Sequence, residues 1–392
     1  MKKFFRPRAV VLAIGSLFYG SIAAAQQVLG VTVENPIAVR RVSETIGVPW
    51  PEVTKRFPGA TADKVRVRDA EGRELISQVV DNDGDGKADE LIFQGDFRPG
   101  ERRSFVIEPG QSRIKVVAGA FVRHDVPRDD MAWESDRIAF RIYGEGLKKT
   151  PSAMSSNGID VWQKSVKALV VEKWYAKGHD AYHIDTGEGA DFFDVGQTLG
   201  VGGTAIWAND SIYRGDNFKA HRIIANGPIR AVFELRYDPW KGGGHTISEV
   251  KRIAIDAGQN VYRSESIFQR VGGGEIPYAI GLVKRPGMRG TETIDSPWPW
   301  ISGWGPVAPK NGGHGELGTA VLIPRTQWRE WKEIGNHYLA IGRVGSGQPA
   351  IHYIGAGWTA SGDFPTPQSW WAYLDTYSMR LAAPLKVTFS SS

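Results

Sequence analysis

Short runs of β-branched and aromatic residues, each bounded by glycine or proline, recur along almost the whole chain. The 392 residues include 47 glycines and 22 prolines, which interrupt any long helical pattern. Five such runs, from VLGVTVENP to ERRSFVIEPG, fall within residues 28–110, and longer ones follow from Trp133 onward. Short apolar segments between turn signals are typical of β-strands, so we predict an all-β fold.

The lengths of these segments divide the chain into two units. The short segments predict a small N-terminal β-sandwich unit over residues 26–120, and the longer ones predict a larger β domain over residues 121–392. A short helix is predicted only near the C-terminus, where TPQSWWAYLDTYSMRLAAPL starts with Thr366-Pro367 and repeats apolar residues at helical spacing.

The segment IRAVFELRY shows the strand pattern most clearly, because apolar and polar residues alternate along it. Alternation predicts a sheet with one buried and one solvated face. The apolar face consists of Ile229, Ala231, Phe233, Leu235 and Tyr237.

The N-terminus has the pattern of a secretory signal peptide. A basic start precedes an apolar stretch over residues 9–22 and small residues that predict cleavage after Ala25, so residues 1–25 are assigned to the signal. Loss of its four cations lowers the formal net charge from +5 to +1, which removes the electrostatic basis for nucleic-acid binding. We expect a periplasmic or secreted protein with no membrane span and no nucleic-acid partner. The absence of cysteine excludes disulfides, zinc–thiolate sites and a cysteine nucleophile.

The segment DNDGDGKADE resembles a calcium-binding loop. Glycine at position 86 supports a sharp turn, and position 12 of the pattern is Ile92 instead of the glutamate of an EF-hand. We predict a structural Ca²⁺ between two strands, the alternative being a polar turn without metal. The predicted oxygen ligands are Asp81, Asp83, Asp85, the Lys87 carbonyl and Asp89.

Residues that could carry chemistry are densest in the glycine-interrupted stretch 175–207. His179, Tyr182 and His183 lie there, and His221 and Arg222 follow in FKAHRIIANG. Together they suit removal of a proton beside the carboxylate of a uronic acid, which needs a cation, a base and an acid. We predict Arg222 as the cation that neutralises the carboxylate, His221 or His179 as the base, and Tyr182 or His183 as the acid.

Further polar and aromatic residues predict a sugar-binding surface. Indole faces pack on the C–H faces of pyranose rings, and the segment DSPWPWISGWGP has three tryptophans in a loop rich in proline and glycine. The predicted substrate-binding residues are Trp298, Trp300, Trp304, Arg252 and Glu249. No phosphate loop, dinucleotide fingerprint or serine-hydrolase elbow is present, and we expect no organic cofactor.

Several long strings together resemble a secreted bacterial family catalogued as a domain of unknown function. They include QVVDNDGDGKADELIFQGDFRPGE, GHDAYHIDTGEGADFFDVGQTLGVGG and GAGWTASGDFP, and the resemblance covers roughly residues 30–390. The family is commonly encoded beside polysaccharide lyases and unsaturated-glucuronyl hydrolases, and it includes an oligosaccharide dehydratase of ulvan degradation. The resemblance implies a galactose-mutarotase-like β-supersandwich for the larger domain.

The sequence therefore predicts an enzyme that acts by β-elimination on a uronic-acid-containing oligosaccharide, as a dehydratase or a lyase. Two other classes stay open at this point. One is a non-catalytic glycan-binding protein, in which the histidines lie far apart. The other is a mutarotase or glycoside hydrolase, in which paired carboxylates face an open sheet. The sequence does not predict the oligomeric state.

Overall fold

The computed structural model of the chain describes Met1 and residues 28–149, 157–308 and 312–391. The predicted signal peptide, apart from Met1, lies outside these residues. Strands dominate the described chain, with only three α-helices in it, which confirms the predicted all-β class. None of the helices in this part of the chain is long and apolar enough to span a membrane.

The first unit is a small sandwich of a five-stranded and a three-stranded antiparallel sheet. Its core contains residues of both sheets, including Val33, Val48 and Phe93. Its elements are β1 (Leu29–Glu34), β2 (Arg41–Pro49), α1 (Trp50–Arg56), β3 (Val65–Asp69), β4 (Glu74–Leu75), β5 (Ser77–Val80), β6 (Glu90–Phe97) and β7 (Arg102–Pro109).

The next part of the chain forms a five-stranded sheet in the order β12-β11-β10-β9-β8 and the start of a second one. Its elements are β8 (Ala120–Asp125), β9 (Asp130–Ser135), β10 (Ala139–Tyr143), β11 (Asp160–Lys164), α2 (Val171–Ala176), β12 (Gly189–Ala190), β13 (Val201–Ala208) and β14 (Ser211–Arg214).

The remaining strands complete that second five-stranded sheet, ordered β14-β13-β19-β24-β23, and form an eight-stranded sheet ordered β15-β16-β17-β18-β25-β22-β21-β20. These elements are β15 (Ala220–Asn226), β16 (Arg230–Gly242), β17 (His245–Asp256), β18 (Val261–Arg270), β19 (Glu275–Val283), β20 (Arg289–Thr293), β21 (Trp300–Pro306), β22 (Glu316–Leu322), β23 (Trp328–Ile334), β24 (His337–Gly345), β25 (Pro349–Trp358), α3 (Pro367–Ala382) and β26 (Lys386–Ser391).

The last strand crosses the predicted boundary between the two units. β26 pairs antiparallel with β1, so the end of the predicted second unit, residues 121–392, completes a sheet of the first. Pairing between the two ends of a chain is non-local, and the local pattern of either strand carries no information about its partner.

The eight-stranded sheet is covered on both faces, which the alternating pattern of IRAVFELRY did not predict. Phe233 and Leu235 enter the large core formed with the two five-stranded sheets. Val232, on the opposite face, is also buried and joins Ile229 in packing against Val80 of the first unit. The expected solvated face is therefore an interface between the units.

Polar contacts also join the first unit to this outer face. The Gln78 side chain accepts hydrogen bonds from the Ile229 and Arg230 amides at 3.0 and 2.8 Å. The Arg230 guanidinium contacts Asp256 through two nitrogens, at 2.6 and 2.9 Å, and Glu90 of the first unit at 2.7 Å. Since bidentate contacts define orientation as well as distance, they set the position of the first unit on the sheet.

The predicted C-terminal helix, α3, packs on the same outer face, beyond the first unit. Thr366 caps it in a capping box with Ser369, and Pro367 occupies its first turn. Trp370 is fully buried, and its indole N–H donates to the Ser302 hydroxyl of β21 at 3.1 Å. Trp371, on the side of the helix, is only partly buried.

The packing of α3 predicts unequal effects of its two neighbouring tryptophans. Replacing Trp370 with Ala should lower the free energy of unfolding by about 3–5 kcal/mol, because it leaves a cavity and an unpaired Ser302 hydroxyl. Trp371→Ala, the matched control, should cost less because that ring is partly solvated already. Urea unfolding of both variants measures the difference, and equal losses would contradict the anchoring role of Trp370.

Candidate functional site

A buried arginine organises the region around the predicted catalytic histidines. Arg141 on β10 contacts the carboxylates of Asp160 and Asp191 at 2.6 and 2.9 Å and donates to the Tyr182 hydroxyl at 2.7 Å. It also contacts the Tyr143 hydroxyl at 3.1 Å. The two carboxylates are fully buried, so the cation compensates charges that would otherwise be costly to bury.

His179, Tyr182 and His183 lie together beside this network, and we call them the His–Tyr cluster. A short 3₁₀ turn over Ala181–His183 places Tyr182 and His183. The ring centroids of His179 and His183 are 4.9 Å apart, and the His183 and Tyr182 rings are separated by 4.7 Å.

His183 has its proton on a defined nitrogen. Its Nδ1 lies 2.8 Å from the carbonyl oxygen of Asp191, and because a carbonyl only accepts, Nδ1 must carry the hydrogen. The other nitrogen, Nε2, then has a free lone pair whenever the ring is neutral. Burial lowers the pKa of His183, and the positive charge of Arg141 lowers it further, against the raising effect of the carbonyl. This histidine is therefore suited to accept a proton, whereas the sequence analysis considered it as an acid.

His179 has the opposite environment. Its side chain is about half exposed, and its Nδ1 lies 3.0 Å from the carboxylate of Asp180. The contact with His179 lowers the pKa of Asp180, so the carboxylate stays ionised beside the ring. The ring of His179 is open to solvent, unlike that of His183. The sequence pattern predicted His179 as a base.

Tyr182 is less accessible than an acid in contact with a sugar should be. Only 2% of its surface is exposed. Burial raises its pKa to about 12, against the lowering effect of Arg141, so the hydroxyl remains protonated. We therefore correct its predicted role: Tyr182 connects Arg141 to the two histidines and positions them.

The end of β8 and the turn that follows it bring His124, Arg128 and Asp129 to this region. The Arg128 guanidinium lies 5.6 Å from the centre of the Tyr182 ring, and its ion pair with Asp125 is long, at 4.0 Å. Asp129, the next residue, contacts Nε2 of His124 at 2.9 Å. Because Arg128 and Asp129 are consecutive, this turn borders both the His–Tyr cluster and the His124 ring.

His221, a predicted base, lies at the His124 side of the turn. Its exposed imidazole stacks on that of His124 with ring centroids 3.8 Å apart. Burial lowers the pKa of His221, and the neighbouring imidazole of His124 lowers it further, while Asp129 raises it. His221 therefore belongs with His124 and Asp129.

His124, Arg128 and Asp129 are not among the residues predicted from the sequence. They lie in the string FVRHDVPRDD, directly after the boundary predicted at residue 120. A turn that combines histidine, arginine and three aspartates was the signal that could have identified them.

Arg222 is separated from the histidines, contrary to the prediction. Neighbouring residues of a strand point to opposite faces, so His221 and Arg222 on β15 cannot share a site. Arg222 donates to the Gly84 carbonyl at 2.7 Å and lies 3.7 Å from Glu234 on the outer face. Arg252 of β17 is nearby, donating to the Asp83 carbonyl at 3.0 Å.

A cavity of about 540 Å³ lies on this outer face, between the first unit, the eight-stranded sheet and α3. We call it the interunit cavity. Opposite charges are paired along its walls, as in the contact between Arg252 and Glu265 at 3.8 Å and that between Arg380 and Glu44. The charged residues that line it are Glu44, Asp83, Arg230, Arg252, Asp256, Arg263, Glu265 and Arg380.

The aspartate loop, residues 81–89, forms one edge of the interunit cavity. The carboxylate oxygens of Asp81, Asp83 and Asp89 lie within 4.8 Å of one another, so these three could ligate one cation. The Asp85 carboxylate is outside this group and accepts from the Lys87 amide at 2.8 Å. Burial raises the pKa of Asp81, but hydrogen bonds from the Gly86 and Gly84 amides outweigh this effect. The pKa is therefore lowered, and the carboxylate stays charged.

The predicted sugar-binding tryptophans are not an exposed surface. Trp300 and Trp304 are 2% and 5% exposed, because their face of β21 is covered by α3, and the Trp300 indole donates to Asp375. Trp298 is half-buried, with its ring 5.4 Å from that of Tyr353. The prediction treated a buried strand as a loop.

Glu249 is also in the wrong place for a substrate. It is 1% exposed inside the sandwich, where it accepts a hydrogen bond from Thr204 at 2.9 Å. Lys251, two residues further along β17, lies 3.5 Å from it, again fully buried. The two-residue period of a strand explains both placements: Glu249 faces inward, and Arg252 faces outward.

The aspartate loop predicts a calcium-dependent stability. Added Ca²⁺ should raise the melting temperature of the protein, because a ligand that binds only the folded state stabilises it. Asp81→Asn should abolish that rise, and Asp85→Asn should retain most of it, since the Asp85 carboxylate is outside the group of three. Calorimetry with Ca²⁺ or a chelator tests this prediction. A melting temperature that does not change with Ca²⁺ would favour the polar turn without metal.

Comparisons with known proteins define the family. The chain is similar to solved structures from Enterococcus faecalis that are about twice its length. One is described as a protein in glycosyl hydrolase family 38 (TM-score 0.50, 9% identity, 94% of this chain and 48% of that one). Another is an alpha-mannosidase (TM-score 0.46, 8% identity, 93% and 46%). The first likeness concerns the fold alone.

A relative in sequence is uncharacterized protein P7 of Formosa agariphila, 32% identical over 377 residues, which are 91% of this chain and 92% of the relative. The family model described as a domain of unknown function, DUF4861, matches residues 33–387. The chain therefore belongs to the DUF4861 family.

Proposed function

We propose that this protein removes water by β-elimination from the non-reducing terminal uronic acid of an oligosaccharide, leaving a 4,5-unsaturated uronate. The observation that carries the proposal is the pairing of a neutral, half-buried His183 with an exposed, carboxylate-bound His179, their rings 4.9 Å apart. Elimination beside a carboxylate needs a base and an acid at adjacent ring carbons, and the proposal assigns these roles to His183 and His179.

Arg128 is the cation for the substrate carboxylate in this proposal. Its guanidinium lies over the Tyr182 ring and is 29% exposed, and its one ion pair with the residues that the structure describes is the long contact with Asp125. Arg141, by contrast, is saturated by two buried aspartates. A planar guanidinium binds a carboxylate through two parallel hydrogen bonds, and its charge stabilises the enolate that forms when the C5 proton leaves.

The proton transfers then balance. His183 Nε2 takes the proton from C5, the electrons of that C–H bond form the C4–C5 double bond, and the C4–O bond breaks. The imidazolium of His179 gives its proton to the departing hydroxyl, which leaves as water. The next turnover requires only that a proton pass from His183 to His179 through solvent.

Other observations support this proposal to different degrees. The sequence resembles the family that contains an oligosaccharide dehydratase, and the fold is similar to that of a glycosyl hydrolase family 38 protein. Release to the periplasm or the medium after cleavage at Ala25 would bring the enzyme to such oligosaccharides. Ca²⁺ in the aspartate loop has a structural role in this proposal.

Incubation with uronate oligosaccharides tests the activity directly. Fragments of ulvan, glucuronan and pectin should be screened by ultraviolet absorbance of the unsaturated product. His183→Asn should reduce the rate by about 10²–10⁴-fold, because a general base contributes on that order. The matched control, His245→Asn, changes an exposed histidine on β17 and should leave the rate unchanged. Absence of product from every fragment would overturn the proposal.

The environment of His183 also predicts the pH dependence. Burial, Arg141 and His179 lower the pKa of His183 below its ordinary value of 6.5. A base is active only when unprotonated, so kcat/KM should persist as the pH falls through 6.5 and be lost at a lower pH. Tryptophan fluorescence over the same range checks that the protein stays folded. A kcat/KM that already falls at or above pH 6.5 would indicate that another group is the base.

A further inference from the structure

We infer that His124, Asp129 and His221 bind one divalent transition-metal cation of the zinc class. Their ligand atoms all lie within 4.8 Å of one another, although the residues come from β8, the following turn and β15. Two imidazole nitrogens and one carboxylate oxygen are a ligand set that proteins use for zinc and its neighbours in the first transition row.

The separations fit a single ion after a small rearrangement. Ligands about 2.1 Å from one ion at the tetrahedral angle are about 3.4 Å apart. His124 Nε2 and Asp129 Oδ1 are 2.9 Å apart, at hydrogen-bond distance, and would separate by about 0.5 Å when an ion replaces the proton between them. His221 is the residue that must adjust, since its ring stacks on His124 at 3.8 Å, and its exposed side chain is free to rotate.

The backbone holds Asp129 for this role at a conformational cost. Asp129 has a φ of 53°, a left-handed conformation that is uncommon and costly for a residue with a side chain. Its second carboxylate oxygen accepts from the Gly146 amide at 2.7 Å, which leaves the oxygen nearer His124 for a cation. Such outer hydrogen bonds orient metal-binding carboxylates.

Two glycines permit this approach. A Cβ on Gly144 would collide with the carbonyl oxygen of Asp129, and one on Gly146 would collide with its Cβ. The string YGEG therefore keeps Asp129 against the two imidazoles. This observation is independent of the histidines and concerns Asp129 alone.

The site leaves coordination positions open toward solvent. Three protein ligands, with His221 at the exposed edge, leave room for oxygen atoms of a ligand, as catalytic metal sites require. The role of the cation, though not its binding, rests on the proposed function: it would draw electron density from the uronate carboxylate, next to Arg128 on the same turn.

Zinc titration of the untagged, full-length mature protein tests the site. Isothermal calorimetry with Zn²⁺, after chelator treatment and in the presence of excess Ca²⁺ to occupy the aspartate loop, should detect one equivalent. His221→Asn and Asp129→Asn should each weaken binding at least about tenfold, since even loss of an outer hydrogen bond costs that much. Asn tolerates the left-handed conformation, so Asp129→Asn should fold. His245→Asn, the control, should bind normally.

A spectroscopic measurement separates this site from other surface groups. Co²⁺ in place of Zn²⁺ should show visible absorption typical of imidazole coordination, and His124→Asn should remove it while the thermal transition persists. Absence of Zn²⁺ binding in the wild-type protein, or equal binding by His221→Asn, would overturn the inference.

The binding readout is also independent of the reaction. Product formation by a protein that binds no Zn²⁺ would overturn the inferred metal site but would still support the proposed elimination. Zn²⁺ binding that requires His221, in a protein that forms no product from any uronate, would support the metal site and overturn the elimination.

Discussion

The candidate site depends on the buried charge of Arg141. This cation lies between Asp160 and Asp191, both removed from water, and its hydrogen bond to Tyr182 connects the sheet of β8–β12 to the irregular segment that follows α2. Burial and the Asp160 charge raise the pKa of Asp191, whereas Arg141 lowers it. The ionised form of the Asp191 carboxylate therefore depends on its pairing with Arg141. The Asp191 carbonyl in turn fixes the tautomer of His183, so the proton position on this histidine is set by a residue of the network.

The two faces of the eight-stranded sheet contact different regions of the protein. On β15, His221 lies on the same side as the core, beside His124, while Arg222 reaches the aspartate loop of the first unit. One step along a strand thus assigns neighbouring residues to different regions. The interunit cavity lies entirely on the outer face, and a cation bound by Asp81 and its neighbours would stiffen one of its walls. Calcium in that loop would therefore affect the interunit cavity directly and the histidines only indirectly.

Local patterns predicted the parts of the structure that depend on local information. The all-β class, the inward face of Phe233 and Leu235 and the capped helix at Thr366 follow from periodicity and turn chemistry. The errors share one cause, which is that burial depends on what packs against a segment. Trp300 is buried because α3 returns over β21, and Glu249 because a second sheet closes over β17. The grouping of His179, Tyr182 and His183 was predictable because they are neighbours in sequence.

The rest of the site could be recognised only from the fold, and the fold also changed the roles assigned to the residues. Composition could show that histidines were present but not which would be neutral, since that depends on burial and on groups distant in sequence. His183 loses affinity for a proton because it is half-buried near Arg141, whereas His179 lies in solvent beside the ionised Asp180. The two imidazoles, chemically identical in the unfolded chain, thereby lie in different environments within 4.9 Å of each other. An elimination that moves one proton off carbon and another onto oxygen needs such an asymmetric pair, and here the asymmetry arises from the different depths of the two rings.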